Sequence, residues 1–85
     1  MDVNPSVVAV VVTYNRRQKL QKVLDAIIAQ DRPPEMIIVV DNASTDDTAS
    51  VVEFAKVRSR ITYARLAENI GGAGGFNTGI RIAFD

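Results

Sequence analysis

The sequence of 85 residues contains neither cysteine nor histidine. Without cysteine the chain cannot form a disulfide bond or a thiolate metal site. Without histidine it also lacks the commonest metal ligand and the commonest general base. These two absences argue against serine, cysteine or histidine catalysis.

Net charge and long hydrophobic runs are missing as well. Ten basic and ten acidic residues give a formal net charge of zero, which removes the broad positive field of a nucleic-acid or anionic-membrane binder. We therefore expect no nucleic-acid partner. The longest aliphatic run, residues 7–12, is too short to span a bilayer, and no basic cluster precedes it as in a signal peptide. The sequence favours a cytoplasmic protein.

Glycine is absent from most of the chain, because all five glycines lie within residues 69–79, NIGGAGGFNTG. Glycine has no Cβ, so it adopts positive φ and allows another backbone or a ligand to approach closely. The cluster indicates either a tight turn or a ligand site, and taken alone the two interpretations have equal weight. With 47% apolar and 24% charged residues, the chain has the composition of a soluble globular protein, and we expect one domain over residues 1–85.

Three apolar segments alternate with three amphipathic ones. The apolar segments predict strands over residues 6–13, 36–40 and 60–66. The amphipathic segments predict helices over residues 16–30 and 44–57, and a third that begins between residues 73 and 76 and continues to residue 85. The order β-α-β-α-β-α predicts a three-layer α/β fold, a Rossmann-like half with a parallel sheet of strand order 3-2-1.

Several side chains have expected places in these helices. Ser44 and Asp47 resemble a capping box at the start of the second helix. Asp46 and Asp47 fall in its first turn by this interpretation, where helix capping is favoured over metal binding. The residues expected on buried helix faces are Leu20, Val23, Leu24, Ile27, Ile28, Val51, Val52, Ala55, Phe76, Ile80, Ala83 and Phe84.

Polar residues follow each predicted strand, at the edge of a parallel sheet where ligands bind. Asp41 could accept a hydrogen bond from a ribose or a base, although a turn aspartate is the simpler interpretation. Thr13, Tyr14 and Asn15 could hold a base or merely end the strand, and Arg16 is a candidate for binding phosphate. Neither a P-loop nor a complete dinucleotide fingerprint is present in the glycine stretch.

Three motifs in this order, VVVTYNR, IIVVDNASTDDT and NIGGAGGFNTGIR, resemble the amino-terminal part of family 2 glycosyltransferases with the GT-A fold. The double Gly-Gly with Phe76 is most similar to the galactofuranosyl and rhamnosyl branches. The resemblance implies a UDP-sugar or dTDP-sugar donor, a saccharide acceptor and a role in bacterial cell-surface polysaccharide synthesis. It also implies a cytoplasmic protein at the inner face of the membrane.

The resemblance also implies residue roles. Thr13 and Tyr14 match positions that line the base and ribose pocket, and Asp41 matches the carboxylate that accepts the imide N–H of uracil or thymine. Phe76 is expected to anchor the third helix in the core. The loop over the nucleotide would contain Asn69, Gly72 and Gly75, with Asn77 at the start of the helix. The full predicted nucleotide-sugar-binding set is Thr13, Tyr14, Asn15, Asp41, Asn69, Gly72, Gly75 and Asn77.

The chain departs from the family pattern at its end. The family's Asp-x-Asp motif, which holds Mg²⁺ or Mn²⁺, and its later general base have no counterpart in residues 1–85. We therefore expect no catalytic residue and no metal ligand in this chain, which would be an inactive part of an enzyme. The alternatives are a free-standing nucleotide-binding or regulatory module, or a structural domain whose glycine loop is only a turn. An unpaired edge on the first strand predicts a homodimer.

Overall fold

Three strands alternate with three helices in the computed structural model, which describes residues 7–84. The strands are β1 (Val8–Thr13), β2 (Met36–Asp41) and β3 (Ile61–Arg65), and the helices are α1 (Arg17–Ile28), α2 (Thr48–Ala55) and α3 (Gly71–Phe84). Ser6, expected in the first strand, lies outside the described residues. The predicted number and order of elements are confirmed.

The strands form one parallel sheet in the order β1-β2-β3, which is the predicted 3-2-1 order from the opposite edge. Thr13 is paired with Asp41, and Asp41 with Arg65, so the three carboxyl ends are level. Because successive residues of a strand point to opposite faces, each strand contributes side chains to two separate packing layers.

One face of the sheet is covered by α1 and α2. Leu20 and Leu24 of α1 and Val52 of α2 are buried there against side chains of the sheet. Each fully buried aliphatic side chain of this size contributes about 1.5–3 kcal/mol through the hydrophobic effect. The buried residues of this layer are Leu20, Leu24, Ile37, Val39, Val52, Ala55 and Ile61. The three-four spacing therefore identified the buried faces of the first two helices, except that Val23, expected on the buried face of α1, is 41% exposed.

The other face is covered by α3, and the predicted buried face of this helix was wrong for its two phenylalanines. Its buried residues are Gly75 and Gly79, whereas Phe76 is 50% and Phe84 is 83% exposed. A Cβ on Gly75 would lie 2.7 Å from Val12 Cγ1, and one on Gly79 would overlap a Val10 methyl group. The helix backbone therefore lies directly on the valines of the sheet, and Phe76 does not anchor it in the core.

The entry to α2 differs from the predicted capping box. The helix begins at Thr48 with Asp47 at the N-cap position, and the Asp47 side chain makes no capping hydrogen bond. The Ser44 hydroxyl instead accepts a hydrogen bond from the Asn15 N–H at 2.9 Å. Asp46 and Asp47 consequently precede the helix and do not lie in its first turn. No helix within residues 7–84 is long and apolar enough to cross a membrane.

Candidate functional site

The loops that follow the three strands meet at one edge of the sheet. Backbone hydrogen bonds continue past the strand ends, since the Asn42 N–H donates to the Thr13 carbonyl at 2.9 Å and the Leu66 N–H to the Asp41 carbonyl at 2.8 Å. The level register brings these loops together, as expected for a parallel sheet. This edge is therefore where side chains from all three βα units can act on one ligand.

A groove of about 420 Å³ opens at this edge, between the end of β1, the start of α1 and the start of α3. We call it the strand-end groove. Its polar lining consists of Thr13, Tyr14, Arg16, Lys19, Asn42, Asn69, Gly71 and Gly72. Two cationic side chains and no carboxylate are among the lining residues. In a chain of zero net charge, this local excess of positive charge favours an anionic ligand.

The glycine stretch forms one wall of the strand-end groove. We define the glycine wall as Asn69, Gly71 and Gly72, all of which are exposed. Gly71 has φ of 81°, a left-handed conformation that glycine adopts without steric cost. The Asn69 side-chain oxygen accepts the Gly71 N–H at 2.8 Å and so closes the turn that leads into α3.

Asp41 is the last residue of β2, and its carboxylate is buried, with 1% of the residue exposed. Oδ1 accepts the Ser44 N–H at 2.9 Å, and Oδ2 accepts the hydroxyl of Tyr63 on β3. The carboxylate is not among the groups that line the strand-end groove. It therefore holds the loop after β2 in place.

Tyr63 was not recognised in the sequence as a site residue. Burial raises the pKa of its phenol well above the ordinary range, and the hydrogen bond and negative charge of Asp41 raise it further. Tyr63 therefore stays protonated at neutral pH and acts as a hydrogen-bond donor to Asp41. The signal for this pair is the parallel register, which places odd-numbered residues of β2 and β3 on the same face of the sheet.

Asn15 links the loop after β1 to the loop after β2. It has φ of 49°, which asparagine tolerates better than most residues. Its side-chain oxygen accepts the N–H groups of Thr45 at 2.7 Å and Asp46 at 3.2 Å. The predicted base-binding residue is thus engaged in holding two loops together, and it does not line the strand-end groove.

Asp46 and Asp47 hold side chains at the start of α2. Asp46 accepts the hydroxyl of Thr48 and the Arg17 N–H, and Asp47 accepts the Ser50 hydroxyl at 2.7 Å. The Thr48 hydrogen bond is the main reason that the pKa of Asp46 lies below its ordinary value. Within residues 7–84, no group of three histidine, cysteine, aspartate or glutamate residues could hold a metal ion.

Asn42 was also missed in the sequence. The residue is 3% exposed, and its side-chain amide donates to the Gly71 carbonyl at 3.0 Å while its oxygen accepts the Ile70 N–H at 3.2 Å. A buried amide needs partners for both its oxygen and its nitrogen. The sequence signal is its position directly after Asp41, where the alternation of the strand directs it to the opposite face.

The structure divides the predicted nucleotide-sugar-binding residues into two groups. Those that line the strand-end groove are Thr13, Tyr14, Asn69 and Gly72. Those that do not are Asn15, Asp41, Gly75 and Asn77. Gly75 is buried in α3 against Val12, and Asn77 is exposed on the same helix. The glycine stretch therefore has two parts, one at the groove and one that packs a helix.

Comparisons with known proteins found similar sequences and a similar structure. The family model for glycosyl transferase family 2 matches residues 8–85. A galactofuranosyltransferase, GlfT1, of Mycolicibacterium smegmatis is 46% identical over 74 residues, which cover 87% of this chain and 24% of that protein. A poly(ribitol-phosphate) beta-N-acetylglucosaminyltransferase, TarS, of Staphylococcus aureus is 33% identical over 67 residues, which cover 76% of this chain and 12% of that protein.

A solved structure is similar over nearly all of the chain. It is the mannosyltransferase PcManGT from Pyrobaculum calidifontis in complex with GDP-Man and Mn²⁺, with a TM-score of 0.83 and 34% sequence identity. The match covers 94% of this chain and 25% of the mannosyltransferase. The chain thus spans about a quarter, or less, of the length of these proteins.

Proposed function

The chain belongs to glycosyl transferase family 2, and from this premise we propose that it is the nucleotide-sugar-binding part of a glycosyltransferase that builds a cell-surface polysaccharide. The proposed donor is a UDP-sugar or dTDP-sugar, and the proposed acceptor is a saccharide. Similarity to a galactofuranosyltransferase supports the transfer of a sugar, and the motif resemblance supports a uridine or thymidine diphosphate as its carrier. The inner face of the membrane is the proposed place of the reaction.

The strand-end groove is the observation that carries the proposal. It lies at the carboxyl ends of parallel strands, and its lining combines an aromatic side chain, hydroxyl and amide groups, two cations and four aliphatic side chains. A nucleoside diphosphate has a flat base, a ribose with hydroxyl groups and a negatively charged diphosphate, so it needs each of these partners. Arg16 and Lys19 are the proposed partners of the diphosphate, and Thr13 and Tyr14 those of the base and ribose.

Asp41 enters the proposal as the acceptor of the imide N–H of the base. Because the residue is 1% exposed and its carboxylate holds Ser44 and Tyr63, the base would reach it only after the Tyr63 hydroxyl moves aside. Cytosine has no imide N–H, so an exposed Asp41 would favour uracil and thymine over cytosine. Preference for UDP over CDP, reduced in an Asp41→Asn variant, is the expected result.

Metal binding and proton transfer are assigned to other parts of the enzyme. The described residues offer no metal-binding cluster, and the mannosyltransferase similar to this chain was solved with Mn²⁺. In this proposal, Mg²⁺ or Mn²⁺ and a general base act on the ligand from outside this chain. The edge of β1, which pairs only with β2 among residues 7–84, is the proposed contact of a homodimer, to be tested by light scattering.

The test is calorimetric titration of UDP, dTDP, GDP and CDP into the protein at its native length, followed by sugar transfer with the matching donors. An Arg16→Ala, Lys19→Ala double variant should weaken binding of the preferred nucleotide at least about tenfold, because two charge-assisted contacts are lost. A Lys22→Ala, Arg32→Ala variant removes the same charge from exposed residues outside the groove and should bind normally. Equal losses of nucleotide affinity in both variants, or no binding of any nucleotide to the wild type, would disprove the proposal.

A further inference from the structure

The Asn42 side chain joins β2 to the glycine wall. Its amide nitrogen donates to the Gly71 carbonyl at 3.0 Å, and its oxygen accepts the Ile70 N–H at 3.2 Å. The backbone N–H of Asn42 also donates to the Thr13 carbonyl at 2.9 Å. One residue, 3% exposed, is therefore bonded to both walls of the strand-end groove.

Side-chain packing does little to hold the glycine wall. Asn69 and Gly72 are exposed, and no atom lies within 4 Å of the place where a Cβ on Gly71 or Gly72 would be. The side chain of Ile70, between them, packs against Gly74 of α3. Glycine also loses more conformational entropy than other residues when it becomes ordered. The two hydrogen bonds from Asn42 thus connect this segment directly to the end of β2.

We propose that Asn42 is a positioning residue that holds the glycine wall in the geometry that binds the nucleotide. A wall already ordered before binding lowers the entropic cost of forming the complex. This inference rests on the proposed function, since it requires that a nucleotide occupy the strand-end groove. Asn42 acts through the backbone of Ile70 and Gly71, and direct contact with the ligand is not needed.

The position of α3 makes room for this amide. Asn42 Nδ2 would lie 3.1 Å from a Cβ on Gly75, which is closer than ordinary van der Waals contact. Because Gly75 has no Cβ, the backbone of α3 can lie close to the Asn42 amide under the groove. Gly75 serves the site through Asn42, and a Gly75→Ala variant should weaken nucleotide binding together with stability.

The sharpest test is Asn42→Asp, which replaces the donating NH₂ group by an acceptor of nearly the same shape. At about pH 8 the ionised carboxylate faces the Gly71 carbonyl and repels it, so UDP should bind at least about tenfold more weakly than to the wild type. Toward about pH 5 the introduced carboxyl, whose pKa is raised by burial, becomes protonated and can donate again. UDP affinity relative to the wild type should therefore recover as the pH falls.

The wild type and a Gln30→Glu variant are measured with UDP and Mg²⁺ over the same pH range at native length. Gln30→Glu makes the same amide-to-carboxylate change at an exposed position outside the groove and should follow the wild type. Tyr14, Arg16 and Lys19 are the titratable groups that share the groove lining with Asn42, and the wild-type curve accounts for their effect. A folded Asn42→Asp variant with wild-type affinity at every pH would overturn the inference.

A second measurement covers the case in which the introduced charge prevents folding. Asn42→Ala removes both hydrogen bonds without adding charge, and it should also lose at least about tenfold in UDP affinity, with no recovery at low pH. Hydrogen exchange at the Ile70 N–H, without ligand, should be faster in this variant than in the wild type. Unchanged exchange would disprove the link itself. Failure of the wild type to bind any nucleotide would instead disprove the proposed function.

Discussion

The two faces of the sheet are packed in opposite ways. On the face covered by α1 and α2, large aliphatic side chains from helices and strands fill the layer. On the face covered by α3, glycines at positions 75 and 79 bring the helix backbone against valine side chains. The first layer is specified by hydrophobic side chains at helical spacing, and the second by their absence at two positions one helical turn apart.

The same contrast continues at the end of β2. Asp41 points to the face of the large side chains, where Tyr63 and Ser44 hold its carboxylate. Asn42 points to the α3 face, where its amide holds the backbone of the glycine wall. In this structure the first residue holds the loop after β2 and the Tyr63 hydroxyl, whereas the second holds the backbone at the start of α3. Neighbouring residues in the chain thus have separate tasks because a strand alternates its faces.

The largest expected loss of stability follows from a substitution on the face of large side chains. Leu24 is fully buried, so Leu24→Ala should lower the free energy of unfolding by about 2–5 kcal/mol through lost burial and the remaining cavity. Val57→Ala removes a hydrophobic side chain that is 86% exposed and is the control, with an expected change within about 0.5 kcal/mol. Urea unfolding monitored by circular dichroism measures both. Similar small losses in the two variants would show that this layer is loosely packed.

On the opposite face, a single added methyl group should be destabilising. A Cβ on Gly79 would overlap Val10 Cγ1 and lie 3.3 Å from Val40 Cγ2. Because valine side chains are stiff, we expect Gly79→Ala to lower the free energy of unfolding by about 2–3 kcal/mol. A second substitution, Val10→Ala, removes the obstructing methyl groups and should restore part of this loss. If the double variant is less stable than the two single changes predict, close packing is not the cause.

Comparison of these faces explains how much the sequence could predict. The alternation of apolar and amphipathic segments was sufficient for the strand order, and three-four spacing for the buried residues of α1 and α2 apart from Val23, which is exposed. The same spacing failed for α3, where it selected Phe76 and Phe84 although the buried positions are glycines. Hydrophobic periodicity detects side chains that fill space, and it cannot detect a contact made by backbone.

For the candidate site as well, the sequence predicted the place in the fold better than the contacts between side chains. The level ends of parallel strands made the edge of the groove predictable, and Thr13, Tyr14, Asn69 and Gly72 do line it. The bonding partners of Asp41 and Asn42 depend on which side chains the register brings together across strands and loops. The cross-loop hydrogen bonds of Asn15 join residues about thirty positions apart. No local pattern contains such information.

A smaller change in the free energy of unfolding is expected from the hydrogen-bonded pair Tyr63 and Asp41, which lies on the face of large side chains. Tyr63→Phe removes the hydroxyl that donates to Asp41, and we expect a loss of about 1 kcal/mol because the half-buried site lets water replace part of the bond. The pKa of Tyr63 is raised in the folded state, so its contribution is complete below about pH 10 and is lost as the pH rises further. Urea midpoints should therefore fall more steeply above pH 10 in the wild type than in Tyr63→Phe. Parallel curves would contradict this.

The smallest expected change in stability is at the glycine wall, and it separates the two parts of the glycine stretch. Gly72 lies in the first turn of α3 with nothing within 4 Å of a potential Cβ, so Gly72→Ala should change the free energy of unfolding by no more than about 0.5 kcal/mol. Because Gly72 lines the strand-end groove, the new methyl group would add bulk at the groove wall, and UDP affinity should fall. Gly79→Ala should instead lower the free energy of unfolding more than it lowers UDP affinity. Thermal melting and UDP titration on both variants decide the matter, because equal destabilisation at the two positions would mean that the whole stretch serves packing alone.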